Sequence, residues 1–202
     1  MPAEARVPAA GELPLFSLQA ALFPGGLLNL KVFETRYLDL VTACLRDGAP
    51  FGVVALSVVA PGFEAAGTVA EPIDANSERV GILQLRCRGA QRFRVESSRR
   101  QTDGLWLARI RLISDDDTLA PQASLLGTVR ALASTVATLK ATKNEAPFLK
   151  PYHFDDAGWV ANRWCEILPI SQAAKQRLME LTDPMVRLRL VDEFLRGKGL
   201  VT

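Results

Sequence analysis

The chain has 202 residues, 49% hydrophobic and 23% charged, enough to bury a real core as one large domain or two small ones. Its 24 basic and 22 acidic residues leave a net charge of +2, short of the clear basic excess of a general nucleic-acid binder. No apolar run reaches the ~18 residues of a membrane-spanning helix, and the opening stretch MPAEARVPAAGELP lacks the apolar segment of a secretory signal. Residues 1–12 therefore read as a flexible leader, and the chain as cytoplasmic.

The first strong local signal is LFPGGLLNL, residues 22–30, where a glycine pair separates two apolar runs. A phosphate-binding loop would continue into Lys and Ser or Thr at a helix start, and this one continues into an extended apolar run. Pro24-Gly25-Gly26 reads instead as a turn between strands at residues 13–18 and 27–32. The spacing of Phe33, Tyr37, Leu40, Val41 and Cys44 then predicts a helix with one apolar stripe, ended by Gly48.

Residues 51–59, FGVVALSVV, form a valine-rich run of the kind buried on both faces of a sheet. A weaker strand is expected at residues 68–73. Residues 80–88 alternate, with Leu83, Leu85 and Cys87 on one face and Gln84, Arg86 and Arg88 on the other. Gly89-Ala90 marks a turn or bulge before residues 91–96, where Phe93 and Val95 alternate with Arg92, Arg94 and Glu96. Trp106, Ala108, Ile110 and Leu112 share a face of a last strand, residues 105–113. Short strands separated by turns predict a partly closed sheet or barrel.

Asp115-Asp116-Asp117 and Pro121 read as a solvated boundary without calcium-loop spacing. Beyond it the period becomes helical. Leu125, Val129, Leu132, Val136 and Leu139 make one stripe. Pro147 and Pro151 impose a loop over residues 144–156. A helix over residues 159–168 stops at Pro169, and another starts at Ser171. Asp183-Pro184, an N-cap followed by proline at the first helical position, opens the last helix, whose apolar face is Met185, Leu188, Val191 and Leu195. The expectation is an α+β chain: a leader (1–12), a β-rich subdomain with one helix (13–117) and a helical bundle (118–202).

Cys44, Cys87 and Cys165 are odd in number and lack CxxC spacing, the pattern of buried reduced thiols rather than of a disulfide framework. With a single histidine, His153, a typical zinc site would need several carboxylates, so neither metal nor cofactor is expected.

Several pieces, in order, resemble the free-standing bacterial form of the Lon protease N-terminal domain. They are Leu13-Pro14-Leu15-Phe16 with Leu22-Phe23-Pro24-Gly25-Gly26, Val32-Phe33-Glu34-Thr35-Arg36-Tyr37, Phe51-Gly52-Val53-Val54, Val69, and Arg88-Gly89 leading into Arg92-Phe93-Arg94-Val95. Leu168-Pro169, Asp183 and the run from Arg187 to Leu195 resemble that family's closing helix hairpin. The resemblance implies a PUA-like β subdomain followed by a helical one, a role in capturing unfolded or tagged polypeptide, and no catalytic group. Ser17 departs from a usual proline, and Asn29-Leu30-Lys31 is more polar than the family pattern.

The resemblance makes polypeptide the expected partner, held at the junction of the two subdomains by a non-catalytic protein, as an adaptor in protein quality control. Candidate binding residues are Phe23, Phe33, Glu34, Arg36 and Tyr37. Among these, Phe33 and Tyr37 read rather as core residues, whereas Phe23, beside the glycine turn, is the better surface candidate. Glu34 and Arg36 have an ordinary structural reading as well, through the helix dipole and a nearby ion pair. The alternative partner is RNA, met by Arg86, Arg88, Arg92 and Arg94 on a common strand face. Ser171 and Lys175 lie four apart, as a serine–lysine pair could, but Ser171 is placed as an N-cap and nothing predicts burial for the lysine. Oligomeric state and client identity are left open by the sequence.

Overall fold

The computed structural model describes residues 12–57, 62–143 and 147–201. The predicted leader through residue 11, positions 58 and 59 of the predicted valine strand, and residues 144–146 of the predicted loop lie outside them. The chain divides into two compact units between Ser114 and Asp115.

The first unit holds β1 (Leu13–Leu18), β2 (Leu27–Val32), α1 (Thr35–Asp47), β3 (Phe51–Leu56), β4 (Phe63–Arg79), β5 (Ile82–Arg100) and β6 (Trp106–Leu112). The sheet order is β2-β5-β4-β3-β1-β6, and β6 also pairs with β5. Five strands thus close a ring, with β2 attached outside it along the first half of β5. β1 runs parallel to β3, Leu15 opposite Gly52 and Leu18 opposite Ala55, so both strands finish at the same end of the ring.

Alternation sorts the apolar residues into two cores. Phe16, Val32, Phe51, Val53, Leu85 and Cys87 pack with Leu40, Val41 and Cys44 of α1, while Leu13, Leu15, Val54, Val69, Phe93 and Ala108 pack on the opposite face. β3 therefore reads as a continuous apolar run because each face feeds a different core. Gly48 closes α1, as the sequence predicts, its N–H donating to the Cys44 carbonyl.

Two strand assignments need correction. The weak candidate at residues 68–73 belongs to a strand of 17 residues, and the two runs either side of Gly89 are one strand of 19 residues. Gly89-Ala90 is the site of a bulge and not of a turn. Thr68 pairs with Arg92 and Ala70 with Gly89, so three residue steps on β5 oppose two on β4. The extra residue reverses side-chain parity. Leu85 and Cys87 point into one core, and Phe93, also odd-numbered, points into the other.

The glycine turn is fastened to this bulge. Gly25 N–H donates to the Gly89 carbonyl (2.8 Å), Gly89 N–H to the Gly26 carbonyl (2.9 Å), and Gly26 N–H to the Phe23 carbonyl (2.9 Å). Thr68 Oγ1 adds a bond to the Leu22 carbonyl at 2.6 Å. A Cβ on Gly89 would lie 2.3 Å from the Phe23 carbonyl oxygen, so only glycine lets the two backbones meet.

The second unit holds a 3₁₀ turn (Ala123–Leu125), α2 (Leu126–Lys143), α3 (Ala157–Ile167), α4 (Gln172–Glu180) and α5 (Pro184–Gly197). Its caps are those the residue types demand. Ser171 Oγ accepts from Ala174 N, and Asp183 Oδ1 accepts from Met185 N and Val186 N. Of the predicted α2 stripe, Leu125, Val129, Leu132 and Val136 are buried.

The acidic run is not wholly a solvated linker. Asp116 Oδ2 accepts from Arg187 Nη1 at 2.7 Å, and Arg187, 1% exposed, also donates to the carbonyls of Leu178 and Leu181 and to Asn162. A buried guanidinium needs this many acceptors, and a carboxylate from the run supplies the countercharge.

Candidate functional site

β1, β2 and β3 end near the start of α1, and a cavity of about 340 Å³ opens there, lined by residues from all four elements. Its aromatic base is Phe16 stacked on Tyr37, ring centroids 3.9 Å apart and 14° from parallel, with Phe51 behind Phe16 at 6.0 Å. Phe33 and Leu56 also line it and are 65% and 42% exposed. Large apolar side chains left in water beside a concavity are the usual mark of an interaction site.

Local chain geometry explains why Phe33 is exposed. The apolar spacing that joins Phe33 to Tyr37 assumes a helix already under way at Phe33, but β2 ends at Val32 and α1 begins at Thr35. Phe33 sits between the two, outside the helix stripe, and the core expectation for it is corrected. Tyr37 is half-buried, its ring held by Phe16.

Glu34 and Arg36 stand in the lining as well. Glu34 is the N-cap residue of α1 but makes no capping bond from its side chain. Instead its Oε2 accepts from Arg36 Nη2. The pair is partly solvated and stabilises the fold little. The Arg36 guanidinium lies 5.0 Å from the Tyr37 ring centroid, and its Nε is shut from solvent with no acceptor. That side chain is positioned by the ring and the carboxylate while part of its donor capacity stays unused.

Phe23 does not join this group. It is fully buried, because the turn that follows it is bonded down onto Gly89 and does not stand free. The surface expectation for Phe23 is corrected. Leu56 and Phe16, by contrast, line the cavity without having been among the predicted binding residues. Phe16 could be reached from the aromatic spacing, while Leu56 ends an apolar run with nothing to distinguish it from buried neighbours.

The proposed arginine face is also corrected. Arg86 and Arg88 are exposed, but the bulge turns Arg92 to the other side, where it is 2% exposed with Nη2 donating to the Ser114 carbonyl, and Arg94 is half-buried. Arg88 pairs with Glu71 across the ladder at 2.6 Å. The four arginines share no common face.

Ser171 and Lys175 are each engaged elsewhere. Ser171 Oγ caps α4, and Lys175 Nζ donates to the Glu166 carbonyl at 2.9 Å. His153 is exposed in its loop, 6.3 Å from the Trp159 ring centroid. Among the described residues no three His, Cys, Asp or Glu side chains are grouped to hold a metal, and no helix is long and apolar enough to cross a membrane. Cys44, Cys87 and Cys165 are free and buried.

A ringed β unit with an open apolar pocket at one end, followed by a helical unit, defines a binding module of mixed α+β architecture. Residues 12–197 match the model of the substrate-binding domain of the ATP-dependent protease La (Lon), and the chain belongs to that family. It is similar to the Lon N-terminal domain protein from Xanthomonas campestris, with 33% identity and a TM-score of 0.71 over 89% of this chain and 96% of that one. It also shares its fold with the N-terminal domain of the Mycobacterium avium complex Lon protease, with 13% identity and a TM-score of 0.64 over 90% of this chain and 96% of that one. No curated protein matches. The part of Lon that the match covers is its substrate-binding domain.

Proposed function

We propose that this protein binds unfolded polypeptide as an adaptor in protein quality control, seating an exposed apolar residue of its client in the pocket where β1, β2 and β3 meet α1. The family supports a substrate-binding role. The observation that carries the finer reading is Phe33, 65% exposed at the mouth of a cavity based on the Phe16–Tyr37 stack. An apolar client side chain placed there would cover surface that water now wets, at ~25 cal/mol for each Å² removed. A flexible client pays ordering entropy on capture, so modest affinity and broad client range go with this mode.

Titrating fluorescently labelled, unfolded casein against the full chain tests it. Saturable binding that short apolar peptides displace is the expected result. No binding up to high micromolar protein rejects the proposal.

A further inference from the structure

The pocket is apolar at its base and cationic along one side, and that asymmetry bears on which part of a client it takes. Gly104, at φ +89°, leaves room for two guanidiniums: a Cβ there would lie 2.7 Å from Arg36 Nη1 and 3.3 Å from Arg100 Nη2. The two arginines therefore sit side by side. Arg100 Nε donates to the Gly104 carbonyl, and its guanidinium lies 5.8 Å from the Trp106 ring centroid. The nearby Asp103, a second carboxylate, accepts from the Leu105 N–H at 2.9 Å. Glu34 is the carboxylate bonded to Arg36, and its side chain is 45% exposed. Arg36 is thus paired with a solvated carboxylate and Arg100 bonded to a backbone carbonyl, while Lys31 also stands in the lining. The two guanidiniums lie next to the aromatic base, with that of Arg36 5.0 Å from the Tyr37 centroid.

We infer that the pocket takes the C-terminal residue of its client, an apolar side chain on the Phe16–Tyr37 base and the free α-carboxylate on Arg36, with Arg100 reinforcing the charge. The inference rests on the peptide-binding reading above. A chain end carries an anion and an apolar side chain on the same α-carbon, which suits a cavity whose cation and ring are neighbours. At about 340 Å³ the cavity is near the lower end of ligand sites, sized for a terminus rather than a long segment. A guanidinium–carboxylate contact in a partly desolvated site is charge-assisted and stronger than a neutral bond.

The test measures binding of three labelled peptides to the full chain by fluorescence anisotropy: Gly-Ser-Gly-Ser-Val-Leu as the free acid, the same sequence as the C-terminal amide, and Gly-Ser-Gly-Val-Leu-Glu as the amide. The free acid should bind about tenfold more tightly than its amide, as one charge-assisted bond warrants. That ratio should fall to about twofold or less in Arg36→Gln, and part of the way in Arg100→Gln, whose side chain is exposed. Unfolding curves matching the parent protein establish that both variants fold. Equal binding of acid and amide overturns the inference while leaving the peptide-binding reading intact. Equal binding of the free acid and the glutamyl amide overturns the commitment to a chain end. If none of the three binds and unfolded casein does not bind either, the underlying reading falls as well.

Discussion

Changing Phe33 to serine separates binding from folding, because this side chain does little for the core. Phe33 is 65% exposed. A phenylalanine presents on the order of 200 Å², so roughly 130 Å² of this one faces water. If a bound client covers half of that, ~65 Å² at ~25 cal/mol/Å² gives about 1.6 kcal/mol, or roughly fifteenfold in Kd. The same substitution should leave stability within about 0.5 kcal/mol of the parent, as surface changes do. Anisotropy titration with an apolar peptide and urea unfolding of both proteins provide the two numbers. An unchanged Kd would refute the placement of the site. A large loss of stability would refute the claim that Phe33 stands outside the core.

Three further outcomes follow from the packing. Gly89→Ala should destabilise the β unit by about 2–4 kcal/mol, since its Cβ would meet the Phe23 carbonyl at 2.3 Å and break the bonds tying turn to bulge; urea unfolding followed at Trp106 checks this. Arg187→Met should cost about 3–5 kcal/mol, because the largely buried Asp116 carboxylate would lose the guanidinium that balances its charge, and Asp116→Asn should cost less; denaturant midpoints rank the two. Burial, with Asp47 adding to it, raises the Cys44 thiol to about 11, and burial raises Cys87 and Cys165 to about 12. The folded chain therefore keeps protons that the unfolded chain gives up, so this stability is fully present below about pH 9 and is lost as pH climbs towards 12. Denaturation across that window should show the decline, and a thiol reagent at neutral pH should label the cysteines only on unfolding.

Where local chemistry decides the structure, the sequence is readable. Asp183-Pro184 opens α5 with the two backbone N–H groups bonded to Asp183 Oδ1, and Gly48 ends α1 in the left-handed conformation. Where one backbone meets another far along the chain, it is not. The parity reversal at Gly89 depends on pairing with β4, so alternation alone assigns Arg92 to solvent when it belongs inside. The same contact buries Phe23, since the glycine turn looks free until Gly89 is known to lie under it. Phe33 is the converse case, its spacing to Tyr37 suggesting a helix that begins two residues later. Glu34, Arg36 and Tyr37 do share a cavity with it, because a strand end and a helix start meet there, and Leu56 arrives from β3 through tertiary structure alone.

The central claim, that the pocket of the β unit receives an apolar client residue, is tested most directly by photo-crosslinking. An apolar peptide carrying benzoylphenylalanine as its last residue would be irradiated with the full chain and the adducts mapped by mass spectrometry. The account predicts adducts concentrated on Phe33, Tyr37 and Leu56 that excess unlabelled peptide suppresses. Adducts confined to the helical unit, or spread evenly over the surface despite competition, would contradict it.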